Sequence, residues 1–366
     1  MYKRQSPTIK IVLAVVTYLL WDTCYTLCDA PIFALPTAMT SSVKERSGFM
    51  TVGTVGGSLA AALATVFLVP YAENNGYLKA AIIVAVVSFL AMSLISLFGK
   101  ERYKVKEEVL EKPASLRDTW EYLIHNKYLL YFYAYRMISG SIAVSMLIYV
   151  AKYCLGDVKY MSMVVAISVI PICILFLFSG KIFKRFDKIV VYRFCMIATI
   201  LMNAITLFVG YQNRTLAIAC LVVIAVLAIL PSILMGAIPQ DCVEYGTYKT
   251  ETRKEGITFA LQTFANKLTA AVATIITGGV LTFVGYDVAA EKAATEAHKV
   301  VEIAVSQATV SGMWKASFIV PIIGQLLAIG FLFAYNLRDK DVQIMSDCNA
   351  GKITKAEAEA LLSRKY

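Results

Sequence analysis

Residues Ile11 to Leu35 read IVLAVVTYLLWDTCYTLCDAPIFAL, an apolar run that carries two aspartates, Asp22 and Asp29. A helix needs about 20 predominantly apolar residues to cross a hydrocarbon core of about 30 Å, so this run is long enough to span a bilayer. An ionised side chain at mid-membrane costs at least about 2.5–3.5 kcal/mol, so each aspartate needs a reason to be there. They lie seven residues apart, two helical turns, and so project from nearly the same face about 10 Å apart along the axis. Pro31 and Pro36 follow Asp29. Proline removes a backbone donor and bends a helix, which frees carbonyls to meet a cation or a hydroxyl. The alternative is that either aspartate pairs with a Lys or Arg of a neighbouring helix.

Working outward, the same kind of run recurs near Met50 to Pro70, Tyr77 to Phe98, Leu129 to Ala151, Tyr160 to Gly180, Ile189 to Gly210, Leu216 to Ala237, Ile257 to Val284 and Met313 to Leu337. The pattern predicts an all-α polytopic membrane protein of about nine spans. Composition agrees: of 366 residues 58% are apolar and 16% charged, against about 25% charged in soluble domains. The net charge of +10 is distributed between the apolar runs rather than along one aromatic-interleaved stripe, which argues against nucleic acid. The eight cysteines include no C-x-x-C pair and read as small buried apolar residues, and two histidines cannot assemble a zinc site. No Walker A loop or G-x-S-x-G elbow is present, so an enzyme is not expected and no cofactor is implied.

Lys and Arg are retained on the cytoplasmic side of short loops. One alternate set of connections is rich in them: Lys44 and Arg46, then seven between Lys100 and Lys127, then Lys181 to Lys188, then Lys249 to Lys254, then the tail. The carboxyl terminus is therefore expected in the cytoplasm of a cell-membrane protein. An odd number of spans would then put the basic start MYKRQSPTIK outside, a contradiction that predicts further helices before residue 1. The polar stretch from Gly99 to Tyr128 divides three spans from six. The expected division is thus 1–98, the remainder of an amino-terminal bundle; 99–128, a central cytoplasmic loop; 129–337, a six-helix bundle; and 338–366, a cytoplasmic tail.

Other residues out of place in hydrocarbon are Lys267, with Thr263 one turn before it on the same face, and Arg136, whose position near the cytoplasmic end reads as a snorkelling arginine. Gly53, Gly56 and Gly57 permit close helix packing. Tyr128, Tyr131, Tyr133 and Tyr135 read as an interfacial aromatic belt. Thr354 and Glu357 have capping-box spacing and predict a short helix in the tail.

Three blocks carry a family resemblance. Asp29-Ala30-Pro31-Ile32-Phe33-Ala34-Leu35 with Thr40 and Lys44-Glu45-Arg46 forms the first, and Lys100-Glu101-Arg102 with Asn126-Lys127 the second. The third is Asp241-Cys242-Val243-Glu244-Tyr245-Gly246-Thr247-Tyr248-Lys249 with Arg253, Glu255-Gly256 and Gln262-Thr263 leading to Lys267. Together they resemble the glycoside-pentoside-hexuronide:cation symporters, a branch of the major facilitator superfamily.

The resemblance implies that Asp29 contacts the sugar beside the coupling-cation site and that Lys267 faces the same cavity. It implies that Phe33 supplies the aromatic platform, and that Asp241, Glu244, Tyr245 and Arg253 lie in a cytoplasmic loop that takes part in a gate with Lys44 and Arg46. It also implies that the family's helices 4 to 12 are present and helices 1 to 3, with their cation-binding acids, are not; Gly53 and Thr54 stand where an arginine is usual. The expected activity is cation-coupled symport of a sugar or glycoside by a monomer embedded in membrane lipid, the cation being Na⁺, H⁺ or Li⁺. The alternatives are a non-transporting sensor or scaffold with the same fold, and a facilitator-type exporter of another solute.

Overall fold

The computed structural model describes residues 7–39, 52–53, 56–57, 59–98, 116–144, 146–251, 254–287, 305–349, 351–364 and 366. Lys44, Arg46 and Arg253 lie outside the described residues, as do the side chains of Asp29 and Phe33. Among the described residues every regular element is helical. The chain divides into two compact units, one of residues 1–61 and 71–112, the other of 62–70 and 113–366.

In the first unit α1 (Pro7–Met39) begins on proline, whose missing N–H costs nothing in a first turn, and continues through Pro31 and Pro36. Thr17 and Thr23 turn their hydroxyls back onto the carbonyls of Leu13 and Leu19, both at 2.8 Å, so their polar atoms are satisfied within the helix. A π-helical turn at Ala64–Leu68, which belongs to the second unit, leads into a short helix, α2 (Val69–Asn75), and α3 (Tyr77–Phe98) is apolar on every side apart from Lys79 in its first turn and three serines. A predominantly apolar surface is what a helix in lipid requires.

The second unit contains α4 (Leu116–His125), α5 (Lys127–Ser141), α6 (Leu147–Tyr149) with its π-turn Val150–Cys154, α7 (Lys159–Arg185), α8 (Lys188–Val209), α9 (Arg214–Leu227), α10 (Ile229–Thr250), α11 (Glu255–Phe283) and α12 (Gln307–Ala334). Two tail helices, α13 (Asp339–Asn349) and α14 (Lys355–Leu361), complete it. Six runs among the described residues are long and apolar enough to cross a membrane: Tyr77–Leu94, Lys159–Phe183, Lys188–Val209, Arg214–Thr250, Gly256–Phe283 and Gln307–Ala334, with shorter apolar helices at Ile11–Tyr25 and Leu59–Ala72.

The expected single span from Leu129 to Ala151 is instead two helices, interrupted at 142–146. Ser139-Gly140-Ser141 precedes the interruption, and Gly/Ser pairs are common kink sites. The break is wedged against α12: a Cβ on Gly324 would collide with the carbonyl oxygen of Ile142 and lie 2.9 Å from its Cβ. Two apolar clusters flank the break. One, around Tyr128, Phe132, Tyr192, Leu234 and Ile238, sits toward the end rich in Lys and Arg. The other, around Met146, Leu155, Leu281, Met313 and Phe318, sits toward the opposite end, called here the far end.

Three sequence expectations are corrected. Tyr128, Tyr133 and Tyr135 are buried to within 6% exposure rather than forming a belt, because their rings pack edge-on against Tyr245, Tyr335 and Tyr192 and Tyr133 donates to the Thr258 carbonyl at 2.8 Å. Arg136 is half-buried and lies beside the buried Tyr192 inside the bundle rather than snorkelling. Of the cysteines, Cys154, Cys195, Cys220 and Cys242 are buried as expected, whereas Cys24 and Cys28 are exposed.

Candidate functional site

On α1, Tyr18, Asp22, Tyr25 and Asp29 follow i, i+4, i+7, i+11 spacing and therefore share a face. Asp22 is half-buried, and the neighbouring rings form a ladder: Tyr18 to Trp21 with centroids 5.9 Å apart, Trp21 stacked on Tyr25 at 5.7 Å. On α11, Thr263, Asn266, Lys267, Ala270 and Thr274 are exposed while Ala265 on the other side is buried at 5%. Gln262 turns inward and donates to the Met235 carbonyl at 3.3 Å, tying α11 to α10. A hydroxyl, an amide and an ammonium thus lie close together in the middle of a 29-residue helix, beside the exposed Phe264 and Leu268. Asp22, Asp29 and Phe33 belong to the first unit and Thr263 and Lys267 to the second.

The residues expected in a loop are not in one. Asp241, Glu244 and Tyr245 lie within α10, which extends well past its apolar part to Thr250. Helix continues there while Asp241, Glu244 and Lys249 find partners on neighbouring elements and Thr247 and Thr250 bond back to the carbonyls of Val243 and Gly246. Asp241 accepts from Lys188 Nζ at 2.7 Å, and Lys188 also reaches Asp339, 3.7 Å through Nζ and 3.0 Å through its backbone N–H. Burial pushes the Asp339 carboxyl upward in spite of that lysine. Glu244 accepts from Asn349 at 2.9 Å, and Tyr245 packs edge-on against Tyr128 at 4.8 Å. Close by, Asn126 caps α5 by accepting from Leu129 N and donates to the Cys242 carbonyl at 2.6 Å. Any residue larger than Gly246 would place a Cβ 2.8 Å from both Asn126 Nδ2 and the Tyr122 hydroxyl, so α4 approaches α10 only because that position is glycine.

The tail fastens over this cluster. The capping box expected at Thr354 and Glu357 is present. Asp341 accepts from Ser363 N at 2.9 Å, from Ser363 Oγ at 2.5 Å and from the Tyr366 hydroxyl, while Lys249 donates to the Tyr366 carbonyl oxygen. Burial opposes ionisation of Asp341, but the Ser363 and Tyr366 hydrogen bonds outweigh it and hold the carboxyl below its ordinary value. The Tyr366 phenol is pushed up to about 12, by burial first and by the Asp341 carboxylate second. Sequence reasoning missed Lys188, Asp339, Asp341 and Asn349; basic and acidic residues at helix ends are too common to single them out.

A family model described as MFS/sugar transport protein matches residues 3–339. The chain belongs to that family. This MFS/sugar transport protein is therefore a multi-pass membrane transporter rather than an enzyme. It is 26% identical over 341 residues to an Escherichia coli (strain K12) protein provisionally named a sulfoquinovose importer, covering 91% of this chain and 70% of that one. It is 27% identical over 291 residues to the uncharacterized symporter YjmB of Bacillus subtilis (strain 168), covering 77% and 62%. With the lactose permease of Lactobacillus delbrueckii subsp. bulgaricus it shares 25% identity over 284 residues, 74% of this chain and 45% of that permease.

Proposed function

We propose that this transporter moves a sugar or glycoside across the cell membrane by cation-coupled symport and alternating access, with its carboxyl terminus in the cytoplasm. One observation carries the reading: Thr263 and Lys267 are exposed on the middle of a helix long enough to span the bilayer. An ammonium in hydrocarbon costs at least about 2.5–3.5 kcal/mol, whereas one lining a water-filled cavity does not bear that cost. Hydroxyl, amide and ammonium groups are the donors and acceptors that a polyhydroxylated solute needs. Asp29, Asp22 and Phe33 are proposed to complete the sugar and cation sites. Na⁺, H⁺ and Li⁺ are the candidate coupling ions. The names borne by the relatives, importers, symporters and a lactose permease, support the substrate class.

At the basic end, Asp241, Glu244 and Tyr245, with Lys44, Arg46 and Arg253, are proposed as gate residues. The excess of Lys and Arg in the connections at that end supports a cytoplasmic location for it. Flux of radiolabelled sugar in proteoliposomes bearing the full-length protein, with imposed Na⁺ or H⁺ gradients, tests the proposal. Gradient-driven uptake that Asp29→Asn abolishes is expected; unaltered uptake by that variant would overturn the site assignment.

A second reading has a specific observation behind it. The chain is 26% identical over 359 residues to a Salmonella typhimurium (strain LT2) protein provisionally named a 2,3-dihydroxypropane-1-sulfonate exporter, covering 94% of this chain and 75% of that one. A sulfonate would be matched by the Lys267 ammonium, and efflux from loaded vesicles in the same assay separates export from import.

A further inference from the structure

At the far end of the second unit a cavity of about 390 Å³ lies between the last turn of α8 and the first turns of α12. Its volume is in the range of about 300–1,000 Å³ typical of ligand sites. Leu207, Phe208 and Ile319 supply apolar wall, and Phe208 is 87% exposed, so the cavity opens outward from the bundle, where the acyl chains would be. Its other side is a single stretch of α12 bearing Ser311, Trp314 and Lys315. No described residue pairs with Ser311 Oγ or Lys315 Nζ, and the indole N–H of the buried Trp314 has no acceptor. With the Tyr211 hydroxyl, the lining thus offers four side-chain donors and no carboxylate.

Depth fits the same chemistry. Lys315 stands eight residues into α12, about 12 Å from its start, where a lysine stem can lie along apolar surface with its ammonium at the headgroup level. Tyr211 packs on Trp314 with centroids 5.6 Å apart, the amphipathic rings expected at a membrane–water boundary. We propose that this cavity binds one anionic phospholipid. An acyl chain lies against Leu207, Phe208 and Ile319, and the phosphate accepts from Lys315 and Ser311. An anionic lipid is the occupant that supplies both an apolar chain and a group with acceptors only. This site is independent of the transport reading.

The test uses the full chain with Trp21→Phe and Trp120→Phe, two exposed positions, so that Trp314 is the remaining indole of three. The protein is reconstituted in phosphatidylcholine vesicles doped with phosphatidylglycerol carrying brominated acyl chains, and Trp314 quenching is titrated. Quenching by brominated phosphatidylglycerol should exceed that by brominated phosphatidylcholine. Lys315→Gln should weaken the apparent affinity about fivefold, the scale of one lysine at an anionic surface, with Lys315→Arg restoring it. Equal quenching by the two lipids, indifference to Lys315→Gln, or relief of quenching by inorganic phosphate would each overturn the proposal.

Discussion

Asp341 is 1% exposed and accepts three hydrogen bonds from residues 363 and 366, so one carboxylate fastens the end of the tail. Because its folded value lies below the ordinary 3.8, its contribution is fully present above that value and is lost as pH falls through the folded one. Tail docking, read by protection of residues 355–366 from protease, should therefore hold from neutral pH down to about 4 and fail below. Asp341→Ala should give the same loss at neutral pH. Lys188 is the counterpart at Asp241: Lys188→Met removes the ammonium 2.7 Å from a carboxylate whose side chain is 13% exposed. Breaking a buried pair from one side costs about 3–5 kcal/mol, so a drop in thermal midpoint of several degrees in detergent is expected, with Lys188→Arg largely sparing it. Asp341 was not legible as special in the sequence, and Asp241 stood out only through the family resemblance, since the partners that define their roles lie 22 and 53 residues away.

Elements show which sequence signals survive folding. The runs Tyr77 to Phe98, Ile189 to Gly210 and Ile257 to Val284 became helices close to their expected ends because lipid-length hydrophobicity leaves the backbone no other way to satisfy its hydrogen bonds, whereas the run Leu216 to Ala237 is divided between α9 and α10 and continues to Thr250. The interruption at 142–146 was written in Ser139-Gly140-Ser141, yet the uniform apolarity of the flanks concealed it; periodicity reports burial, not continuity. It is set by α12, where Gly324 admits the Ile142 carbonyl. Gly324→Leu should force the two apart and cost about 1–3 kcal/mol, seen as a lowered thermal midpoint, whereas Gly330→Ala, with open space around it, should be nearly neutral. The tyrosines of α5 were misread for a related reason. Aromatic residues mark both interfaces and polar-tipped cores, and only the hydroxyl partner at Thr258 separates the two.

For the whole molecule, family and class follow from the match over residues 3–339, and the transport proposal rests on where water reaches the membrane interior. The sequence made Lys267 conspicuous; the structure adds that Thr263, Asn266 and Lys267 are exposed on α11 beside the equally exposed Phe264, Leu268 and Ile275, and the proposal is that water reaches the polar three. Accessibility is the direct test. In full-length protein lacking its eight native cysteines, Thr263→Cys and Ile275→Cys are compared for reaction with a hydrophilic, membrane-impermeant maleimide in native vesicles. Labelling at 263, slowed by the transported sugar, with none at 275 is the expected result; two positions equally unreactive would show that position 263 faces lipid, and the transport account would fail.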